Sequence, residues 1–463
     1  MATIYPQERD KTGIQRYTGN SNDTPDSPVV GATWYQADLN ITKAYDGSEW
    51  FLSGINASPI AVMGYQGWQH DAFGRLRVSN PVTLFDSKQI FDNQPLFWDD
   101  QEVSGSGTTS VHSATQAKST IGVAATTAGV RTRQTFMRFN YQPGKSQLVF
   151  MTFLLDASGG GSNITRRVGL FDDDNGIFLE DAAGTYRLAL RRIGVTSYEN
   201  QTAWNIDKMD GTGPSGVTID FTKVQILVID FEWLGVGRVR WGFVIDGNIY
   251  YVHGYGPANT DTSVYIATPN LPLRYEITNI GSGAASTMDA ICSTVISEGG
   301  SNDLGVLRYK STEGTDVATS VENTIYAVLG LKLKAGYVGA TINIINTALQ
   351  IHTASSELEW MLLLNPTVAG AFTYANETNS AIMTATGATA NTVTGGVSIS
   401  GGFIESGGVS AGSNGSISAG IENALRLGAA IDGTVDELVL CVRPIAGSST
   451  VDVEGSITWR ELS

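Results

Sequence analysis

Two acids at positions i and i+2, Asp230 and Glu232, stand in the run Gln225-Ile-Leu-Val-Ile-Asp-Phe-Glu-Trp233. On a strand such residues share one face with Cβ atoms about 7 Å apart, a spacing that the carboxylate pair of a glycoside hydrolase can exploit. Two bases follow at Arg238 and Arg240. With Gly235-Val-Gly237 as a three-residue turn and Gly237 left-handed, Glu232 is placed opposite Arg240 and Arg238 within diagonal reach. The same four residues, Asp230, Glu232, Arg238 and Arg240, therefore also read as a structural ion-pair group. A catalytic series of three alternating acids, Glu-x-Asp-x-Glu, would need an acid at position 228, where valine stands. The structural reading is preferred, and Glu357 and Glu359 are read the same way.

Other candidates are weaker. Asp172, Asp173 and Asp174 gather beside Asn175-Gly176 as in a calcium loop, but Glu180 comes too early for the twelve-residue pattern. The four histidines, His70, His112, His253 and His352, lie in unrelated segments, so no local metal motif forms. No metal or other cofactor is expected. Trp204, Trp233, Trp241, Tyr250 and Tyr251 could stack sugars, although alternating aromatics in a sandwich are more often core.

The elements that must carry these residues are strands. Residues 225–253 hold three runs rich in Val, Ile, Phe, Tyr and Trp, separated by Gly235-Val-Gly237 and Asp246-Gly-Asn248, which describes an antiparallel meander. Similar runs recur from 114 to 298 with turn residues between them and no helical periodicity. The expected fold is all-β. It comprises an N-terminal extended arm and hairpin (1–60), an irregular aromatic belt (61–100), a lectin-like antiparallel jelly-roll sandwich (101–300), a polar linker (301–320) and a second, C-terminal β-sandwich-like domain (321–463). Residues 1–30 are too polar to join a core, and 34–51 form a small hairpin that needs a docking surface, either another subunit or protein or, as the alternative, the chain's own core. The stretch 384–420, rich in Ala, Gly, Ser and Thr, is read as a mobile loop, with an intersubunit contact as the alternative.

Composition narrows the function. There are 45 acidic and 29 basic residues, a net charge of −16, which disfavours nucleic-acid binding. No apolar run reaches the ~18 residues of a membrane helix, so no membrane insertion is expected. Residues 1–10 lack the basic-then-apolar pattern of a signal peptide. Cys292 and Cys441 are read as small buried apolar residues without a bridge between them.

The wording of several segments, Phe73-Gly-Arg-Leu-Arg-Val-Ser-Asn-Pro81, Leu84-Phe-Asp-Ser-Lys-Gln-Ile-Phe91, Trp98, the meander, Thr268-Pro-Asn-Leu-Pro-Leu-Arg-Tyr-Glu-Ile277 and Leu362-Leu-Leu-Asn-Pro-Thr-Val-Ala-Gly370, resembles a family of tailed-bacteriophage virion structural proteins. The resemblance implies a non-enzymatic particle component on capsid, tail or fibre, made in the host cytoplasm and located in the virion. Its partners would be other virion proteins and copies of itself, a trimer being favoured by likeness to fibre-type components. Trp34, Tyr35, Tyr45 and Trp50 are the candidate attachment residues. A carbohydrate-binding adhesin that contacts host-surface glycan is the second reading, and a polysaccharide-degrading jelly-roll enzyme the third.

Overall fold

The computed structural model describes residues 3–4, 8–9, 15–19, 22–30, 32–37, 41–45, 47–54, 80–156, 161–302, 304–353, 356–405, 413–415, 427–445 and 450–462. Among them there is no α-helix, only strands and two short 3-10 turns, Gln201–Ala203 and Ala335–Tyr337. The chain is an all-β protein built of sandwiched sheets, and it divides into two compact units, 1–78 and 79–463.

The first unit is more than an arm with a bare hairpin. Gln15–Gly19 pairs in parallel with Thr33–Gln36, which continues antiparallel through Ile41–Tyr45 to Trp50–Gly54; Glu8–Arg9 completes a five-stranded sheet. Tyr17, expected in a solvated arm, is buried with Ala32 and Trp34 in a small core on which Tyr45 and Trp50 pack. The average polarity of residues 1–30 does not decide whether they join a sheet. Backbone pairing of Thr3–Ile4 with Thr24–Pro25 and of Gln15–Gly19 with Thr33–Gln36 brings parts of that stretch into sheets whatever its average polarity. The belt residues 61–79 lie outside the described residues.

In the second unit, two sheets pack face to face as a jelly-roll sandwich. One has seven strands in the order Val195–Asn200, Thr185–Arg192, Gly176–Ala182, Ile164–Phe171, Leu273–Ile280, Ala128–Thr135, Trp98–Gly105. The other has eight, running from Thr108–Ser113 through Lys118–Val123, Ser286–Ser297, Gln147–Leu154, Gln225–Phe231 and Val239–Ile245 to Asn248–Tyr255, with Val82–Ser87 added on Ser286–Ser297. Period-two alternation sends Val168, Leu170, Ile177, Leu179, Leu273, Tyr275 and Ile277 from the first sheet against Val149, Met151, Phe153, Leu227, Ile229 and Phe231 from the second. Each large apolar side chain buried this way stabilises by about 1.5–3 kcal/mol.

The second half of the aromatic belt belongs to these sheets. Phe85 and Trp98 lie in the sandwich core, and only Phe91 of that stretch is left almost wholly exposed. The Asn-Pro and Gln-Pro pairs break helices as expected, and between them the backbone is free to enter the ladders.

The C-terminal half forms a second sandwich around Val328, Leu329, Leu331, Leu362, Leu440, Ile457 and Trp459. The stretch expected to be a linker is part of it. Val306–Ser311 and Val317–Ala318 both pair with Asp452–Leu462 along one side of that strand, the first with Val306, Leu307 and Tyr309 exposed and the second with Val317 buried in the core. Ile382–Thr386 and Val397–Glu405 are likewise strands, the latter an edge paired with Glu357–Leu364, rather than loop; 406–412 and 416–426 lie outside the described residues. Small β-formers tolerate a ladder position as well as they tolerate a loop. Cys441 is buried as expected, whereas Cys292 is exposed.

Candidate functional site

The predicted acid pair sits on the outer face of the eight-stranded sheet. Leu227, Ile229 and Phe231 point into the core, so Val228, Asp230 and Glu232 point out. The turn differs from the expected one. Gly237 N donates to Trp233 O at 2.7 Å and Glu232 N to Arg238 O at 3.0 Å, so five residues, 233–237, form the loop. The left-handed positions are Leu234 (φ 37°) and Gly235 (φ 80°) rather than Gly237.

That two-residue slip keeps every side chain on its own face and exchanges the partners: Asp230, in place of Glu232, lies opposite Arg240. Asp230 Oδ2 accepts from Arg240 and, at 2.7 Å, from Tyr251 Oη, while the Arg240 guanidinium lies 4.0 Å from the Tyr251 ring centre. Burial, then the hydrogen bond to Asp230, holds the Tyr251 hydroxyl well above its usual pKa. Glu232 is exposed, with its carboxylate 3.5 Å from Arg238 N. The four residues thus divide into a partly buried Asp230–Arg240–Tyr251 group and a peripheral Glu232–Arg238 backbone pair. Gly237 is still demanding, because a Cβ there would lie 2.4 Å from Glu232 O.

A larger polar arrangement crosses the outer face of the seven-stranded sheet. Asn200, Arg187, Glu180, Arg167, Glu276, Thr132 and Gln101 are successive cross-strand partners, one from each strand. Arg167 Nε donates to Glu180 Oε2 at 2.6 Å and its Nη1 to Glu276 Oε1; Arg187 Nε donates to Glu180 Oε1 at 2.6 Å. Glu276 Oε2 is met by Thr132 Oγ1 and by Arg274 Nη1, each at 3.4 Å, and Arg274 also bonds Asp173 at 2.6 Å. Every oxygen of Glu180 and Glu276 is therefore occupied by a donor. Glu180 is fully buried and Glu276 nearly so. Burial alone would push the Arg167 pKa down; Glu276 and Glu180 reverse this and hold it above the ordinary arginine value.

Beside the row, Phe171, Phe178 and Ala189 form a small outer-face cluster against which Tyr198 packs. Arg187 stacks over Tyr198 at 3.8 Å and Arg191 over Phe178 at 5.0 Å. On the inner face, Arg166 bonds Asp181 at 2.8 Å and reaches Thr287 O of the opposite sheet at 3.2 Å. This row escaped the sequence reading. Its signal was the recurrence of Arg167, Glu180 and Arg187 in three adjacent short runs, but the register that aligns them spans more than a hundred residues to Glu276.

The loop weighed for calcium is committed elsewhere. Asp172 Oδ1 accepts from the main-chain N–H of Asp174 and Asn175 at 2.9 and 2.7 Å, and its other oxygen pairs with Arg138. Asp173 pairs with Arg274, so two of the three acids serve arginines. Of the aromatics considered as sugar platforms, Trp204 and Trp241 are core and Trp233 donates to Ile266 O at 3.1 Å. Glu359 pairs with Arg443 across strands. Among the described residues, three side chains of metal-ligating type come close together, Asp316, His352 and Glu454.

In the first unit, Trp34 is buried, with its ring 5.6 Å from that of Trp50 and edge-on to it; Tyr45 lies 5.3 Å from Trp50. Trp34 therefore serves the core of its own unit rather than an exposed attachment surface. Tyr35, on the opposite face of the same strand, is half-buried.

No protein-family model matches this sequence, and no characterised protein matches it by sequence. Several solved structures are similar to about half of the chain. A β-glucanase of Bacillus licheniformis has 9% identity and a TM-score of 0.32, with 47% of this chain and 99% of that one covered. An endo-1,3-β-glucanase from Streptomyces sioyaensis has 10% identity and a TM-score of 0.32, with 49% and 99% covered. A legume lectin-like domain from Entamoeba histolytica has 10% identity and a TM-score of 0.29, with 47% and 99% covered. At such identity and superposition the likeness carries neither a substrate nor a site residue to this chain.

Proposed function

We propose that this protein is a non-enzymatic structural component of a tailed-phage particle that works by protein–protein assembly. The observation that carries the reading is the row across the seven-stranded sheet: its buried acids have every oxygen taken by an arginine or hydroxyl, which suits a rigid scaffold and leaves none aimed at a substrate. The resemblance of the sequence to virion proteins supplies the particle. The small first unit, closing its own aromatic core, suits an attachment element, and a symmetric homo-oligomer, a trimer first, is the expected assembly. Mass spectrometry of purified particles tests this: the chain is expected at a fixed, symmetric copy number, and its absence from particles would contradict the proposal.

The adhesin reading keeps one specific support. The guanidinium of Arg191, on the row's own face, donates to Thr196 Oγ1 and to Asp172 O, and among the described residues it forms no ion pair. A cation beside aromatic rings is suited to an acidic sugar. Retention on an anionic glycan array, lost in Arg191→Ala, would favour this second role.

A further inference from the structure

Asp316, His352 and Glu454 come from three adjacent segments of the C-terminal sheet that contains Asp452–Leu462. Gln350 pairs with Glu454, and His352 follows two residues later at the end of Thr341–Ile351. On the other side, Val317 pairs with Val453, and Asp316 immediately precedes it. Neighbouring strands stand about 4.8 Å apart, so side chains from three strands in line can meet over the central one. Here they do. Their ligand atoms all lie within 4.8 Å of one another, with His352 Nε2 3.6 Å from Asp316 Oδ1 and 3.7 Å from Glu454 Oε2. Ligands on a tetrahedral ion with bonds of about 2.1 Å are separated by about 3.4 Å, so little movement is needed to close the set.

The backbone under each ligand is fixed. His352 N donates to Asp452 O at 2.9 Å, and Asp452 N returns a bond to Thr353 Oγ1 at 2.9 Å. The segment bearing Asp316 is tied at both ends, Thr312 N to Gly455 O at 3.0 Å and Thr319 N to Val451 O at 2.9 Å. Charge points the same way. Among the described residues the ion pairs of Asp316 and of Glu454 both end on His352, while Lys310, nearby in sequence, is engaged with Glu313 and Glu377. Two carboxylates thus converge on one imidazole that is uncharged in its ligating form, and a divalent cation would neutralise them. The imidazole selects a transition metal over calcium or magnesium, which prefer oxygen alone.

We propose that Asp316, His352 and Glu454 form a surface site for a first-row divalent transition metal, with Zn²⁺ as the probe, three protein ligands and an open coordination position. The test is calorimetric titration of the full chain with zinc chloride at pH 7.5, with Co²⁺ absorption as a second readout. The expected result is saturable uptake of one ion per chain and visible Co²⁺ bands of low coordination number. His352→Ala and Asp316→Asn should each weaken uptake by more than about tenfold, and lowering the pH to 5.5 should weaken it as protons compete for the ligands. Because these side chains are partly exposed, both variants should melt like the parent in the absence of metal. Lack of saturable uptake by the parent, or uptake unchanged in both variants, would overturn the proposal. So would loss of metal-free stability in His352→Ala without any zinc effect, which would mark the group as a plain protonated-histidine ion pair.

Discussion

The outer faces of the two jelly-roll sheets handle the same problem, carboxylates on a β-surface, in different ways. On the eight-stranded sheet Asp230 has one arginine and one tyrosine, and the arginine is about one-third exposed. On the seven-stranded sheet Glu180 and Glu276 share Arg167, and each recruits a further arginine, so the charges run across several strands with the acids out of water. An isolated pair near solvent is worth little, up to about 1 kcal/mol, whereas a buried network is costly to break because each lost partner leaves a charge stranded. The contrast separates a local clamp from a structural member.

The comparison can be broken most sharply at Arg167. Arg167→Ala removes the arginine shared by two buried glutamates, leaving Glu180 with Arg187 and Glu276 with Arg274, and is expected to cost about 3–5 kcal/mol in urea unfolding. A loss below about 1 kcal/mol would show that water reaches the row and that the two faces are equivalent. Asp230→Ala removes the acceptor of Tyr251 and the partner of Arg240, and about 1–3 kcal/mol is expected, less than for Arg167. The reverse order of the two effects would invert the comparison.

The turn that sets the register on the first face gives the next test. Gly237→Val should cost about 1–3 kcal/mol, because its Cβ would meet Glu232 O, while Val236→Ala should change stability by less than about 0.5 kcal/mol. Equal melting temperatures would show the loop to be other than described.

The smallest effect is expected from pH. His253 is buried against Trp241, and its Nδ1 accepts from Asn205 N at 3.3 Å; burial lowers its pKa. With a folded pKa below the unfolded value of about 6.5, the neutral ring contributes stability that is present above that value and lost as the pH falls below it. Melting temperatures between pH 7.5 and 5.5 should therefore fall less in His253→Gln than in the parent.

Local signals in the sequence account for the strands and several turns. Asp246-Gly247 is left-handed at both positions, φ 51° and 77°, as an Asp-Gly hairpin requires, and Gly144 closes the predicted turn after Pro143 with φ 86°. A three-residue turn puts Glu232 opposite Arg240; the five-residue loop puts Asp230 there. Nothing local shows that Leu234 adopts positive φ or that Trp233 is anchored to Ile266. The Arg167–Glu276 row and the Asp316–His352–Glu454 group depend on pairing between segments a hundred or more residues apart, which residue types and spacing do not encode. Composition misleads in the first 30 residues, where Tyr17 and Pro25 are buried and short strands pair despite the polar average.

The most direct test of the scaffold account is a double-mutant cycle across Arg167 and Glu180, followed by urea unfolding of the parent, Arg167→Met, Glu180→Gln and the double variant. A coupled structural row predicts that the double variant loses less than the sum of the single losses, with an interaction energy of about 1–3 kcal/mol. Additive losses, with an interaction energy within about 0.3 kcal/mol of zero, would contradict it.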